Sequence, residues 1–298
     1  MADFNFKKWN LIFGWFAFVI AFIAYSLTVE PTVSFWDAGE YILTSSKLQV
    51  GHPPGAPFFQ MMGAFFSIFA NDPTQIGLMI NMMSATASAF TILFMFWSIV
   101  LLIKQVVKNK NETLKGQNAA ILGAAFVGSL SFAFTDSFWF NAVETEVYAM
   151  ATLIMAVLFY LGLRWGNDMF TPRGNKWLIL ISFIVGLSFG VHFMGLLTIP
   201  AISLIYFFKN YKTITVRNFI LANLAGIAVL LFVFKLLAPN ILRYFSALEI
   251  FFVNTIGLPF NSGSIIAFVI LVSIIVLGIR YTRKKNYINL NTALLCIT

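Results

Sequence analysis

Charge is scarce in this chain. Asp, Glu, Lys and Arg make up 10% of its 298 residues, against about 25% in a soluble domain. Hydrophobic residues make up 60%, and the mean hydropathy is +0.87. A soluble protein of this size needs a polar shell that this composition cannot supply, which excludes that class. Cysteine is nearly absent. Cys296 alone excludes an internal disulfide and a cysteine-based metal cluster. The sequence has no Walker loop, no GxSxG, no HExxH and no Rossmann glycine fingerprint. Their absence argues against ATP-driven transport and serine hydrolysis on this chain. Neither an internal repeat nor a low-complexity segment is found.

What is present is a series of apolar runs long enough to cross a bilayer. Clear spans are expected at 11–28, 76–103, 119–137, 145–163, 218–238 and 264–279. The first is too long for a signal-peptide core and is followed by Thr28-Val29-Glu30-Pro31, which offers no small-residue cleavage site. It is read as an uncleaved span. The segment 57–70 is short for a span and suits an interfacial helix. The long run 177–208 is broken by Gly186, Gly190, His192 and Gly195 and reads as a tight helical hairpin, its tip near His192. The sum is an all-α multi-pass membrane protein of about eight spans, with interfacial helices in the first and last outer loops. It forms a single transmembrane domain over 1–298. The apolar run at 288–298 meets the end of the chain at Thr298, so the sequence is expected to be the N-terminal portion of a longer protein.

The net charge of +8 does not imply nucleic acid, because the basic residues fall in short loops between spans. With this topology 16 of the 19 lysines and arginines face the cytoplasm, as the positive-inside rule requires. Only Lys47, Lys235 and Arg243 lie outside. The rule takes no account of acids or histidines, yet eight of eleven acids and both histidines fall on the outer side. Polar chemistry is therefore expected on the extracytoplasmic face of a cytoplasmic (inner) membrane.

Three outer segments could carry that chemistry. The first loop holds Trp36-Asp37-Ala38-Gly39-Glu40-Tyr41 and then Gly51-His52-Pro53-Pro54. Asp37 and Glu40, three apart, would share one face of a helix beginning near Ser34. They could simply complement a helix N-terminus, or they could form a carboxylate pair tuned by partial desolvation. His52-Pro-Pro is either a structural turn or a rigid mount that holds a histidine at headgroup depth. The second loop holds Asp136, Asn141, Glu144 and Glu146 at the mouth of a span. Acids there default to functional hypotheses. Asn141 as N-cap with Glu144 at the capping-box position is the competing reading. His192 in its apolar hairpin is either a satisfied structural group or a site residue.

One span, then Trp36-Asp37-x-x-Glu40-Tyr41, His52-Pro53-Pro54 and a flat helix resemble the start of GT-C class membrane glycosyltransferases. The strongest likeness is to a protein O-mannosyltransferase-like family, whose first loop is similar to FWDAGEYI…GHPPGAPFF here. Gly186-Leu-Ser-Phe-Gly190-Val-His192-Phe-Met-Gly195 is similar to that family's later hairpin. Two positions depart from better-studied relatives: Ala38 rather than an acid follows Asp37, and Pro57 replaces a lysine. The resemblance implies a GT-C-like bundle and transfer of a sugar from a polyprenyl-phosphate donor to an extracytoplasmic protein or glycan acceptor. By the same resemblance Asp37 is the catalytic base with Glu40 beside it. His52, and with it His192 and Arg243 as outer cations, would face the donor phosphate. Trp36, Tyr41, Glu144 and Glu146 would contact substrate. No cofactor is expected, since the lipid-linked sugar is a substrate, and a metal bridging Asp37 and Glu146 is conceivable but not expected. Two other classes remain: a transporter or channel subunit using the outer acids, and a non-catalytic membrane anchor. The first would place ionisable groups deep in spans, and few are there.

Overall fold

The computed structural model describes residues 5–53, 55–107 and 115–297. Pro54, Lys108, Lys110 and Thr298, all used in the sequence reading, lie outside them. Among the described residues there are helices and turns and no strand. The helices are α1 (Phe6–Thr28), α2 (Ala38–Lys47), α3 (Pro57–Ser67), α4 (Ile76–Val106), α5 (Lys115–Ala133), α6 (Asp136–Ala142) and α7 (Val147–Asp168). They continue with α8 (Gly174–Ser188), α9 (Thr198–Asn210), α10 (Val216–Leu231), α11 (Ala238–Ile250), α12 (Ser262–Lys284) and α13 (Ile288–Ile297). The chain is an all-helical multi-pass membrane protein. It divides into two compact units, the first comprising 1–164 and 184–198, the second 165–183 and 199–298.

Among the described residues, six helical stretches are long and apolar enough to cross a membrane, and the pair α5–α6, bent by 70°, makes a seventh if it is one broken span. The expected eighth, α8, has 15 residues. At 1.5 Å per residue it reaches about 22 Å, short of a hydrocarbon core of about 30 Å. The 11-residue α3 is shorter still, in keeping with a helix that does not cross. The 177–208 run breaks where expected: α8 ends at Ser188, and a 3-10 turn over Phe193–Leu197 leads into α9.

The last outer loop departs from expectation. In place of a span and a separate interfacial helix, one helical stretch runs 40 residues from Val216 to Thr255. Pro239, near the start of α11, lacks the N–H of a regular helical turn and should stop the helix. A π-helical turn over Phe232–Leu237 directly precedes it. Such a widened turn absorbs the missing bond and lets the helix continue.

The first unit is built on small residues. Ala17 and Ala21 of α1, Ala85 and Ala89 of α4, and Ala133 and Ala142 beside α5 and α6 are fully buried around Tyr25, Ile92 and Phe138. Alanine lets helix backbones approach closely where lipid offers no hydrophobic drive for association. Several polar groups in and around this core are paired, although the buried Ser84 and Ser88 hydroxyls of α4 have no hydrogen-bond partner. Tyr25 donates to the Ala133 carbonyl at 2.8 Å, which satisfies an end carbonyl of α5 just before its 70° bend into α6. Trp139 of α6 donates to Thr28 Oγ1 at 2.9 Å. The Glu30 N–H donates to the Val143 carbonyl at 2.9 Å, so the loop after α1 and the loop before α7 are joined by backbone.

Asn81 strengthens that join. It is fully buried on α4. Its amide donates to the carbonyls of Glu30 and Thr32 at 2.7 and 2.8 Å and accepts from the Thr145 hydroxyl. Asn81→Ala removes all three bonds and strands the buried Thr145 hydroxyl. Since an unsatisfied buried polar group costs about 1–3 kcal/mol, the variant should lose about 2–4 kcal/mol of stability. Thermal unfolding in detergent should show the loss, and limited proteolysis should show faster cleavage at 29–53. Unchanged melting and cleavage would remove Asn81 as the tie between the loops.

Candidate active site

Asp37 is the N-cap residue of α2, yet its side chain makes no capping hydrogen bond. Its carboxylate is more than half exposed and faces His52 Nε2 at 3.9 Å. The helix starts at Ala38 rather than near Ser34, and Glu40 falls in its first turn. Glu40 does not serve the helix end either. Its Oε1 accepts the His52 backbone N–H at 2.6 Å, and its Oε2 lies 3.1 Å from His52 Nδ1. Those contacts, the backbone bond first, hold the Glu40 carboxyl below its ordinary range. The acid pair and the histidine thus form one cluster at the N-terminus of α2, where neither carboxylate makes a capping hydrogen bond.

Tyr41 lies under this cluster. Its ring is 5.7 Å from the His52 ring and packs edge-on against Phe59 of α3 at 5.2 Å. Burial, with the charges of Glu146, Asp37 and Glu40 adding, pushes its hydroxyl up to about 12, so it stays a proton donor. Trp36 adopts φ 59°, a left-handed backbone that bulky residues rarely hold. This presents the indole to solvent at 85% exposure beside Asp37. Strain of this kind persists where surrounding structure enforces it, and it concentrates at functional sites.

The second loop meets the first. Asn141 is not a cap: it lies within α6, and its amide donates to the Ser137 carbonyl. Glu144 therefore has no capping box to complete, and it is buried. Burial raises its carboxyl, and Glu30 adds to the rise. Glu146 is also buried, and its carboxylate takes up the N–H groups of Asp37 and Val147. Burial first, then the charges of Asp37 and Glu144, raise it to about 7. Glu146 thus steadies the Asp37 backbone while remaining close to half protonated at neutral pH.

The hairpin tip joins the same unit. The Gly190 carbonyl accepts the N–H groups of Phe58 and Phe59 at 2.8 and 3.1 Å, which anchors the start of α3 just after the His52 turn. A Cβ at Gly190 would stand 2.8 Å from Phe58 Cβ, so only glycine permits this approach. His192 packs its ring 5.3 Å from that of Tyr148. Its Nδ1 accepts the Met194 N–H at 3.2 Å, and burial lowers its affinity for a proton. A neutral His192 can donate from Nε2 but does not supply the positive charge the sequence reading gave it. Arg243, the third candidate cation, lies on α11 in the second unit and is exposed.

Asp37, Glu40 and His52 each offer a ligand atom, and these atoms all lie within 4.8 Å of one another. This is the trio placed to share a metal ion, in place of the Asp37–Glu146 bridge considered from sequence. Sequence reasoning missed Asn81, Gln60 and Tyr148, and took Gly190 only as part of the hairpin break. A lone amide inside an apolar run, as at Asn81 and Gln60, was the available signal, because such a group must find a partner.

The pH response follows from Glu146. Its folded value is above its ordinary 4.5, so the folded state holds the proton more tightly than the unfolded chain. The stability this contributes is complete below about 4.5 and is lost as pH rises through about 7. The span corresponds to about 3 kcal/mol at most. Wild-type melting temperature should fall between pH 5 and 7.5, as a scan of thermal unfolding against pH would record, and Glu146→Gln should flatten that slope. Equal slopes in the two proteins would deny Glu146 this role.

Comparisons with known proteins place the sequence in a family. Residues 37–215 match a family model described as "Protein O-mannosyl-transferase TMEM260 N-terminal domain". The match begins at the acid of the first loop and runs past the hairpin tip. The chain is 25% identical over 245 residues to "Protein O-mannosyl-transferase tmem260" of Dictyostelium discoideum, covering 76% of this chain and 28% of that protein. It is 25% identical over 164 residues to "Protein O-mannosyl-transferase TMEM260" of Mus musculus, covering 55% of this chain and 21% of that one. The matched stretch thus spans about a quarter of the length of these relatives. No solved structure matches. With more than half of its length in the family model, the chain belongs to the protein O-mannosyl-transferase TMEM260 N-terminal domain family.

Proposed function

We propose that this chain carries the catalytic site of a membrane glycosyltransferase. It would move a sugar from a polyprenyl-phosphate donor to a hydroxyl of an extracytoplasmic protein. The observation that carries the reading is convergence. Asp37, Glu40 and His52 of the first loop, Glu146 of the second, and Tyr148 with His192 at the hairpin tip fall in one compact unit. The names of the relatives supply the reaction class and the protein acceptor. The lipid donor is what the resemblance to GT-C enzymes implies, and a polyprenyl phosphate at headgroup level would lie beside the first loop.

In this reading the acceptor oxygen attacks the anomeric carbon. A new C–O bond forms as the bond from that carbon to the phosphate oxygen breaks. The phosphate leaves with the bonding electrons, and the hydroxyl proton passes to Asp37. Asp37 suits the task because its carboxylate is spared from capping and open to solvent. His52, held by Glu40, faces the phosphate, which gains charge as it leaves. Trp36 offers an exposed aromatic face to a sugar or peptide. GT-C architecture remains part of the proposal.

Two experiments test this. Asp37→Asn keeps the size and capping ability of the residue, so a mere helix-end role predicts little change. As the base, its loss should cost roughly 10²–10⁴-fold in transfer while donor binding survives. His52→Ala should instead weaken donor binding. Near-normal transfer by Asp37→Asn would remove it as base and leave Glu40 or Glu146. The second experiment tests orientation, in a Cys296→Ser background. Cysteine at exposed Gln49 should react with an impermeant reagent added outside intact cells, and cysteine at exposed Thr213 should not. The reverse pattern would place the acids on the cytoplasmic side and sink the mechanism.

A further inference from the structure

The surroundings of His52 pose a problem that the transfer chemistry alone does not solve. Its Nδ1 faces Glu40 Oε2 at 3.1 Å, and its Nε2 faces the Asp37 carboxylate at 3.9 Å. Two carboxylates gathered around one ring repel each other unless positive charge lies among them. A divalent cation held by the same three side chains would supply that charge.

A second observation comes from α3. Gln60 is more than nine-tenths buried, and its Nε2 has no hydrogen-bond partner. It points toward the cluster. A point beside Gly51, where a side chain would begin, lies 3.1 Å from Gln60 Nε2 and 3.1 Å from Glu40 Oε1. A buried amide left unsatisfied costs stability, and this one is aimed at the rear of the carboxylate that holds His52. It is placed to serve a water or ligand oxygen carried by an ion at the cluster.

We propose that Asp37, Glu40 and His52 form a binding site for one divalent cation of the manganese or zinc class, with Gln60 as its outer partner. The ligand atoms lie within 4.8 Å of one another. Ligands about 2.1 Å from a shared ion stand about 3–4 Å apart, so a small closing movement completes the site. Two carboxylates and an imidazole suit these metals. All three side chains are about two-fifths exposed or more, which leaves coordination positions open, as in catalytic rather than structural sites. Resting on the transfer reading, the proposal assigns those open positions to oxygens of the donor phosphate. The cation then meets the charge that the phosphate gains as its bond to the sugar breaks. Asp37 ligates through one oxygen and keeps the other for the acceptor proton.

The test uses the purified full chain in nanodiscs, stripped with chelator and titrated with MnCl2. Bound manganese is counted from loss of the free-ion paramagnetic resonance signal, with ZnCl2 as competitor. One ion should bind per chain, and zinc should displace it. His52→Ala and Asp37→Asn should each weaken binding at least roughly 10–100-fold, and Gln60→Leu toward the lower end of that range. Asp72→Asn, which alters an exposed acid elsewhere in the same loop, should not change it. Melting curves of the metal-free proteins show whether each variant is folded, and Asp37→Asn, isosteric with the parent, remains informative if His52→Ala unfolds. Equal binding of manganese and zinc by wild type and both ligand variants, or no binding at all, overturns the site. Sugar transfer separates the two readings. Full transfer in chelator without manganese binding defeats the cation and leaves the transferase. Manganese bound at the cluster without transfer from any polyprenyl-phosphate sugar defeats the transferase and leaves the cation.

Discussion

A carboxamide buried in an apolar helix must find hydrogen-bond partners, and in this protein it finds them in the backbone of one loop and a hydroxyl of another. Asn81 sits where α4 emerges beneath the outer segments. Its two donors take the carbonyls of Glu30 and Thr32, and its acceptor takes Thr145. The first loop reaches Asp37 five residues after Thr32, and the second reaches Glu146 one residue after Thr145. The bond from Glu30 to Val143 and the Asp37 N–H at the Glu146 carboxylate extend the same seam. Where the acids stand relative to one another is therefore decided by an amide that touches neither.

This coupling explains why buried acids are tolerated beside an exposed one. Glu144 and Glu146 lose hydration, which raises the hold of each on its proton, and the charge of Glu144 adds to the rise at Glu146. Asp37, a short backbone step away, keeps its water and stays open for chemistry. Two carboxyl groups with different environments can take different protonation states at one pH, which is the usual basis for dividing acid and base roles in a site. Glu40 stands apart from both, its carboxylate held against His52.

The class of the fold was legible because composition leaves few alternatives. The hairpin break was legible because glycines and a histidine interrupt an apolar run. The end of the α10 span was not, since Lys235, Pro239 and Arg243 look like a loop when hydropathy alone is weighed. A π turn carries the helix through them, and no local sequence rule announces such a turn. Within the site, Asp37, Glu40 and His52 could be grouped from spacing, and Glu146 could be suspected from its depth. Its contact with the Asp37 backbone could not be foreseen, because it depends on how two loops separated by three helical elements are tied. Asn141 misled for a related reason. It has the chemistry of a cap, but it lies inside the short α6, and the helix it would have started begins only at Val147.

The continuous helix from Val216 to Thr255 has a geometric consequence. Forty residues at 1.5 Å each make a rod of about 60 Å, twice the thickness of the hydrocarbon layer. Standing upright, it would lift roughly half its length clear of the lipid tails. That part includes Leu242, Ile250 and Phe251, whose side chains are exposed. To keep the whole rod among the tails it would have to lean by about 60°, beyond the 0–40° slant usual for membrane helices. An upright pose wets apolar surface and a leaning one exceeds the common range, so this helix must shape what surrounds it, by thickening the bilayer locally or by drawing an apolar covering over its protruding end.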